Sequence, residues 1–496
     1  MSKEFDTVRV YIEKLKALES ALVLFEWDLE TLAPAGSVER TSKIIGALSE
    51  EYFNCLISSE LSQAVYNAKA SGRCSELETK ILDKLEEEID KNRRIPSKEY
   101  REFAELTSVS AAKWQEAKLS NDYDIFAPYL EKVVEFEKKF AGYVRTDEKT
   151  LYDVLLKDYE KGFDVERLDD FFDKLKKSLI PLVKNIGDVT KKIDCDFLLK
   201  SADIEKQKKF NTFLSEYLGF DFNRGVIQES EHPFTTSLHK DDVRITTHYY
   251  ENNIESAIFS TIHETGHAIF EQGIGDDITM TPLEGGSCAV HESQSRMFEN
   301  MIGRSKAFWM PLYEKLQAEF PGLFADVEID KFVTAINRTQ PSLIRTESDE
   351  LTYSLHIIIR YEIEKELING NLDVKKLPEI WNQKYEEYLG VKPEKYSEGI
   401  LQDIHWSQGS IGYFPFYAVG NAIAAQIYAA MDKKINVEKC LEKKNIKKIR
   451  EYLRENVHRY GMSKTADEFL KDITGEEFNP DYYIEYLTGK FTGLFM

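Results

Sequence analysis

Cysteine is scarce in this 496-residue chain, and the five that occur, Cys55, Cys74, Cys195, Cys288 and Cys440, lie far apart with no CxxC pair. That spacing writes neither a disulfide framework nor a zinc ribbon, and a reducing, cytoplasmic setting is the expectation. Proline (13) and glycine (25) are also few, so little punctuates the chain and long helices are favoured. No uninterrupted apolar run approaches the ~18 residues of a membrane span, and the opening Met-Ser-Lys-Glu-Phe-Asp carries acids rather than an apolar signal core, so neither membrane insertion nor export is expected. Basic residues are outnumbered, 65 against 87 acidic ones, for a formal net charge of −22. This argues against a nucleic-acid partner, which calls for a basic face. What is present, 42% hydrophobic and 31% charged residues, is the balance of a globular protein rather than a disordered one.

No repeat, linker or low-complexity tract divides the chain. It therefore reads as one mainly α domain over residues 1–496, with a helical N-terminal part to about residue 220 and the chemistry-bearing part from about 221. Val8, Tyr11, Leu15, Leu18, Leu22 and Phe25 alternate three- and four-residue spacings, which predicts a helix packing one apolar stripe on a neighbour, until Pro34 and Gly36 break the pattern. Residues from about 75 to 220 keep helical character, with interruptions expected near Pro96, Pro128 and Pro181. Val243, Ile245 and Thr247 alternate with their neighbours in DDVRITTHYY, which predicts one short strand in an otherwise helical protein. Eight of the nine histidines fall between His232 and His405, and chemistry is sought there.

Residues 256–273 contain His263, Glu264, Thr265, Gly266 and His267, an HExxH sequence within a helical pattern. Four residues make slightly more than one turn and advance ~6 Å, so both imidazoles project from one face and can hold one ion, with Glu264 beside them to work on a water. A catalytic zinc needs a third protein ligand and an open position. The pattern with glycine and histidine three and six residues further on is excluded, because Phe270 and Gly273 stand there. A second helix is predicted after Gly285 and Gly286, N-capped by Ser287. On it Glu292 is the preferred third ligand and Glu299, two turns on, the alternative. His291 faces about 100° away and is expected to line or support the site. Cys288, a lone thiol near a helix start, reads as a small buried hydrophobe.

These residues resemble the carboxypeptidase Taq family of zinc metallocarboxypeptidases. HETGHAIFEQG and HESQS carry the resemblance, together with His232, Pro233 and Phe234 as HPF; Asp242, Arg244 and Thr246 as DxRxT; Ile344, Arg345, Ser348 and Asp349 as IRxxSD; and Gly399, Gln402, Asp403, His405 and Trp406 as GxxQDxHW. The likeness runs from WDLETLAPAG near the start, where Ala33 and Ser37 depart from the family's methionine and glycine, to YLTGKF near the end. It implies an almost all-helical, saddle-shaped molecule with a deep groove that the N-terminal part covers, one very small β-sheet, and a homodimer.

It also implies a metal-dependent carboxypeptidase that acts on peptides with a free C-terminus, releasing single amino acids with broad specificity. A helical zinc oligopeptidase or dipeptidyl carboxypeptidase is the alternative enzyme, and a non-catalytic peptide binder the alternative outside enzymology. The expected cofactor is one Zn2+ per chain, with Co2+ or Mn2+ as possible substitutes. In this reading His263, His267 and Glu292 bind the metal and Glu264 moves the proton. An arginine fork suits a terminal carboxylate, and Arg345 is preferred over Arg244 for it. Internal pairing, with Asp349 for Arg345 and with Asp242 for Arg244, is the structural alternative. His405, Tyr413 and Tyr417 offer donors to the oxyanion or the substrate backbone. His232 lies in a loop that Pro233 forces to be extended, expected to line the groove. No role is assigned to His239, His248 or His356.

Overall fold

The computed structural model describes residues 3–370 and 372–496. Contacts group them into two units: Met1–Arg93 with Asp194–Ile336 and Ile427–Glu477 forms unit 1, and Arg94–Ile193 with Asn337–Gln426 and Phe478–Met496 forms unit 2. Both are mainly helical.

Unit 1 opens with α1 (Lys3–Thr31), which buries Phe5, Val8, Ile12 and Leu15 against the helices Val38–Leu56, Ser59–Ser71 and Glu76–Arg94. The predicted stripe is thus buried along its first half, and α1 runs past Trp27 before Pro34 turns the chain. A three-stranded sheet follows: β1 (Gly225–Glu229), β2 (Thr235–His239) and β3 (Asp242–Thr247), in the order β1-β3-β2. β3 is parallel to β1 and antiparallel to β2. Its Val243 and Ile245 pack with Phe220 and Ala268, so the period-two pattern read from the sequence marks the central strand. Two helices complete the frame of interest, α2 (Ile254–Gln272) and α3 (Cys288–Arg296).

Unit 2 contains the helices Ser97–Ser120, Ala127–Val144, Leu151–Tyr159 and Val165–Thr190. Pro96 and Pro128 stand at helix starts, where a missing N–H costs nothing, whereas Pro181 lies inside the Val165–Thr190 helix without ending it. At its centre is α4 (Glu350–Asn369), buried on every side from Leu351 to Tyr361. Its polar side chains, His356, Arg360 and Glu364 among them, must therefore find partners inside the protein. Asp349 caps α4, accepting from the Leu351 and Thr352 N–H groups. Among the described residues no helix is long and apolar enough to cross a membrane.

Candidate active site

The HExxH sequence lies on α2, which Asn253 starts by accepting the Ser256 N–H (3.2 Å) and which Thr261 ties to β3 through Thr247 (3.2 Å). α3 crosses α2 at Gly266. A Cβ there would stand 2.8 Å from Ser295 Cα and 2.9 Å from the Gln294 carbonyl oxygen, so only glycine allows this backbone-to-backbone approach. It brings Glu292 to the histidines. Ligand atoms of His263, His267 and Glu292 lie within 4.8 Å of one another. Glu292 Oε2 is 3.7 Å from His263 Nε2 and 3.4 Å from His267 Nε2. Tetrahedral donors at ~2.0–2.1 Å from an ion stand about 3.3–3.4 Å apart, so this His₂Glu set fits a divalent metal.

Each of these three side chains is held from behind. Glu299, on the π-type turn Met297–Ile302 that continues α3, accepts from His263 Nδ1 (2.8 Å), and so orients that histidine instead of replacing Glu292 in the cluster. His267 Nδ1 is 2.5 Å from His291 Nδ1, whose Nε2 is 2.7 Å from Glu271 Oε1. Arg296 donates to Glu292 Oε1 (2.7 Å) and Glu299 Oε2 (3.1 Å). Burial opposes ionisation of both carboxyls, but Arg296 and His263 prevail, keeping Glu292 well below the usual carboxylate range and Glu299 at about 2. Burial, reinforced by His291, lowers His267 to about 3, so its ring is neutral and able to bind metal. Burial also disfavours charge on His263, but Glu292, Glu299 and Glu264 outweigh it and raise its pKa.

Glu264 lies beside the cluster. It is buried, and Thr235 of β2 donates to its Oε2 (2.6 Å). Burial raises its pKa, against the pull of His263 and Thr235. Glu271 and His291 also line a cavity of about 240 Å³ bounded by Lys16, Glu19 and Ser20 of α1 and by Thr235–Leu238.

The remaining unit 1 candidates have structural partners. Arg244 makes a two-pronged pair with Asp242 (2.8 Å twice) and lies over the Trp27 ring (4.8 Å), which links the DxRxT and WDLETLAPAG sequences. The HPF segment docks on β3, where Phe234 N–H donates to Thr246 Oγ1 (3.0 Å) and Thr246 N–H to the Phe234 carbonyl (2.8 Å). His232 itself is exposed. Ser287 caps α3 in extended conformation but its hydroxyl makes no capping bond. His248 pairs with Ser256 (2.7 Å), and His239 Nδ1 accepts the Asp241 N–H (3.2 Å).

The other candidates gather in unit 2. Arg345 is buried and donates to Asp403 through Nε (3.0 Å) and Nη2 (2.8 Å), so its partner is Asp403, while Asp349 caps α4. Its Nη1 reaches the Tyr353 hydroxyl (3.4 Å) and its guanidinium lies 5.1 Å from the Tyr417 ring. Arg360 binds the other Asp403 oxygen through Nε (2.7 Å) and Nη2 (2.5 Å). Burial opposes the Asp403 charge, but the two guanidinium groups hold its carboxyl far below the carboxylate range. His356 Nδ1 pairs with the Tyr385 hydroxyl (2.9 Å), while its buried Nε2 has no hydrogen-bond partner among the described residues. His405 Nε2 stands 3.4 Å from the Tyr417 hydroxyl, and Tyr413 packs edge-on against Tyr417 (5.1 Å). Burial, then Arg345, lower His405 to about 4. Glu364 anchors this loop, accepting from Trp406 Nε1 (2.7 Å), the Gly412 N–H (3.0 Å) and Tyr152 (2.6 Å), with burial raising it to about 7.

Sequence reasoning missed Glu271, Arg296, Thr235, Arg360 and Tyr353 as contributors. Helical spacing carried a signal for two of them, since Glu271 follows His267, and Arg296 follows Glu292, by four residues.

The family model for carboxypeptidase Taq (M32) metallopeptidases matches residues 7–491. Carboxypeptidase 1 of Bacillus subtilis (strain 168) is 42% identical over 490 residues, covering 98% of this chain and 97% of that protein. Thermostable carboxypeptidase 1 of Pyrococcus furiosus is 35% identical, with 98% of each chain covered. The crystal structure of the M32 carboxypeptidase from Deinococcus radiodurans R1 superposes with a TM-score of 0.96 at 33% identity, over 100% of both chains.

Proposed function

We propose, given that this chain belongs to the carboxypeptidase Taq (M32) family of metallopeptidases and is a metal-dependent carboxypeptidase, that it releases single amino acids from peptide C-termini with broad side-chain tolerance and that its metal is one Zn2+ per chain. The observation that carries the reading is the cluster of His263, His267 and Glu292 with Glu264 beside it. Held by His263, His267 and Glu292, the ion would supply Lewis acidity to a water and to the scissile carbonyl. Glu264 takes the water's proton and delivers it to the departing amine, a task suited to a carboxyl whose pKa is raised by burial. Thr235 steadies one of its oxygens and leaves the other for the proton.

Arg345 is our choice for the substrate's α-carboxylate. Its bonds to Asp403 and Tyr353 use three of five N–H groups and fix the plane, leaving a donor on each terminal nitrogen. Arg244, paired on the same edge of its fork with Asp242, is the second choice. His405, Tyr413 and Tyr417 are assigned to the oxyanion or substrate backbone, and a neutral His405 suits a hydrogen-bond donor. His232 is assigned to substrate contact. Co2+ or Mn2+ can replace Zn2+ at such a donor set. The reading includes residues 1–496 acting as one catalytic domain, a homodimer as the family likeness implies, and a cytoplasmic setting, which five cysteines held in no disulfide support.

The test is mass-spectrometric digestion of one peptide offered as the free acid and as the C-terminal amide, with zinc-loaded protein and with chelator. Stepwise loss of single residues from the acid alone, stopped by chelator, is expected. Internal cleavage of both peptides would overturn the proposal in favour of an oligopeptidase.

A further inference from the structure

The loop between His405 and Tyr413 is tied at both ends to one side chain from outside it. Trp406 Nε1 donates to Glu364 Oε1 (2.7 Å) and the Gly412 N–H to Glu364 Oε2 (3.0 Å). An indole N–H and a peptide N–H can only donate, so both bonds run toward Glu364 whatever its charge. Each anchored residue is the immediate neighbour of a side chain assigned to the substrate, since Trp406 follows His405 and Gly412 precedes Tyr413. The His405 and Tyr413 rings stand 5.8 Å apart, centre to centre. Gly412 lies against Leu155 at a φ of +95°, a conformation that favours glycine. Glu364 is fully buried, and among the described residues no ion pair neutralises it, because Arg360, one turn earlier on α4, is engaged by Asp403. Stability alone does not call for a charge at such a place, where a buried carboxylate without a cation is costly. What a carboxylate provides there, and an amide does not, is an acceptor oxygen for each end of the loop.

We infer that Glu364 is a positioning residue whose two oxygens set the separation and orientation of His405 and Tyr413, and so their approach to the reacting carbonyl. The inference rests on the reading of His405 and Tyr413 as groups for the oxyanion or substrate backbone, and adds to it the group that holds them in place. A third bond, from the Tyr152 hydroxyl to Oε2 (2.6 Å), comes from the Leu151–Tyr159 helix and carries no part of the loop, which makes it the control.

The test uses full-length, zinc-loaded protein, with steady-state hydrolysis of a free-acid peptide, thermal melting, and amide hydrogen exchange followed by mass spectrometry. Glu364→Gln turns an NH2 group toward one of the two donors and so releases one end of the loop. Its kcat is expected to fall about 10–100-fold, the effect of a displacement of about 1 Å, with KM unchanged because Arg345 and Asp403 keep their contacts. Exchange across residues 404–413 is expected to quicken. Trp406→Phe cuts one bond, keeps an aromatic ring and is expected to share the loss of kcat. Tyr152→Phe removes the bond that does not reach the loop, and is expected to lower Tm while leaving kcat and the exchange of 404–413 unchanged. An unchanged kcat in Glu364→Gln overturns the inference, as does an equal loss of kcat in Tyr152→Phe, which would reduce Glu364 to a structural role. Should Glu364→Gln fail to fold, Trp406→Phe decides: a lower kcat at unchanged KM supports the inference and an unchanged kcat overturns it. Should the unaltered chain hydrolyse no peptide, the carboxypeptidase reading falls, and hydrogen exchange still decides whether Glu364 fixes the loop, equal rates in Glu364→Gln and the unaltered chain overturning it.

Discussion

Asp403→Asn removes a carboxylate that serves two buried guanidinium groups at once, one oxygen for Arg345 and the other for Arg360. Asparagine keeps the shape but has one oxygen and no charge, so one arginine faces an amide N–H instead of an acceptor. Arg360 is fully buried and Arg345 nearly so. Neither can recover its hydration, and breaking such a pair from one side costs about 3–5 kcal/mol. At ~2.1 cal/mol/K per residue the unfolding entropy of a chain of this length is about 1 kcal/mol/K, so Tm should fall by about 3–5 °C. Thermal unfolding at pH 7, followed by circular dichroism and calorimetry, measures it. The sign of the pH dependence follows from the depressed pKa. A carboxylate whose folded value lies below its unfolded value of about 3.9 contributes stability that is present above that pH and is lost as pH falls. The gap between wild type and variant should therefore stay constant from pH 8 to 5 and narrow below about pH 4. A Tm unchanged within about 1 °C, or a gap that widens on acidification, would refute the account of the cluster.

Glu264→Gln should cut peptide hydrolysis by about 10²–10⁴-fold while Co2+ affinity is retained, since the amide keeps the Thr235 contact but cannot take a proton; a parallel loss of metal would mean that Glu264 shapes the cluster. Gly266→Ala should cost about 1–3 kcal/mol and weaken metal binding, because its methyl meets the α3 backbone, and melting with Co2+ titration reads both effects. His458, lowered to about 3 by burial, remains neutral in the folded state while its unfolded form protonates near pH 6.5, so acidification from pH 6.5 toward 4 should lower Tm; His458→Gln should flatten that slope. Arg345→Lys keeps the charge but loses the fork, and KM for free-acid peptides should rise about tenfold, the worth of one charge-assisted hydrogen bond, with steady-state kinetics as the check.

Local patterns carried much of this into the sequence. The HExxH helix and the strand around Val243 and Ile245 were legible because periodicity depends on which face is buried, which neighbouring residues alone reveal. β1 and β2 were not, since each is five residues long, has no buried residue in its burial pattern and acquires its form by pairing with β3. The partners behind the ligands divide the same way. Glu271 and Arg296 sit one helical turn from the groups they serve or adjoin, a spacing open to inspection. Asp403 and Arg345 are 58 residues apart, and only tertiary structure decides that Asp403, rather than the nearby Asp349, takes the guanidinium. Pro181 shows the converse, a strong local signal for a break that packing along a long buried helix face overrode.

The contact at Gly266 has a bearing on ion choice. Where two helices touch through side chains, rotamers can absorb a change in spacing. Here the atoms in contact are Ser295 Cα and the Gln294 carbonyl, which have no alternative positions to occupy. The gauge between the histidine pair and the root of Glu292 is therefore rigid. Ions of different radius must be fitted by the swing of one carboxylate, and Arg296, gripping its second oxygen, limits that swing. Tolerance for a foreign ion in this protein becomes a property of the Glu292–Arg296 hinge, and loosening that hinge is the route by which the site would learn to accept a larger one.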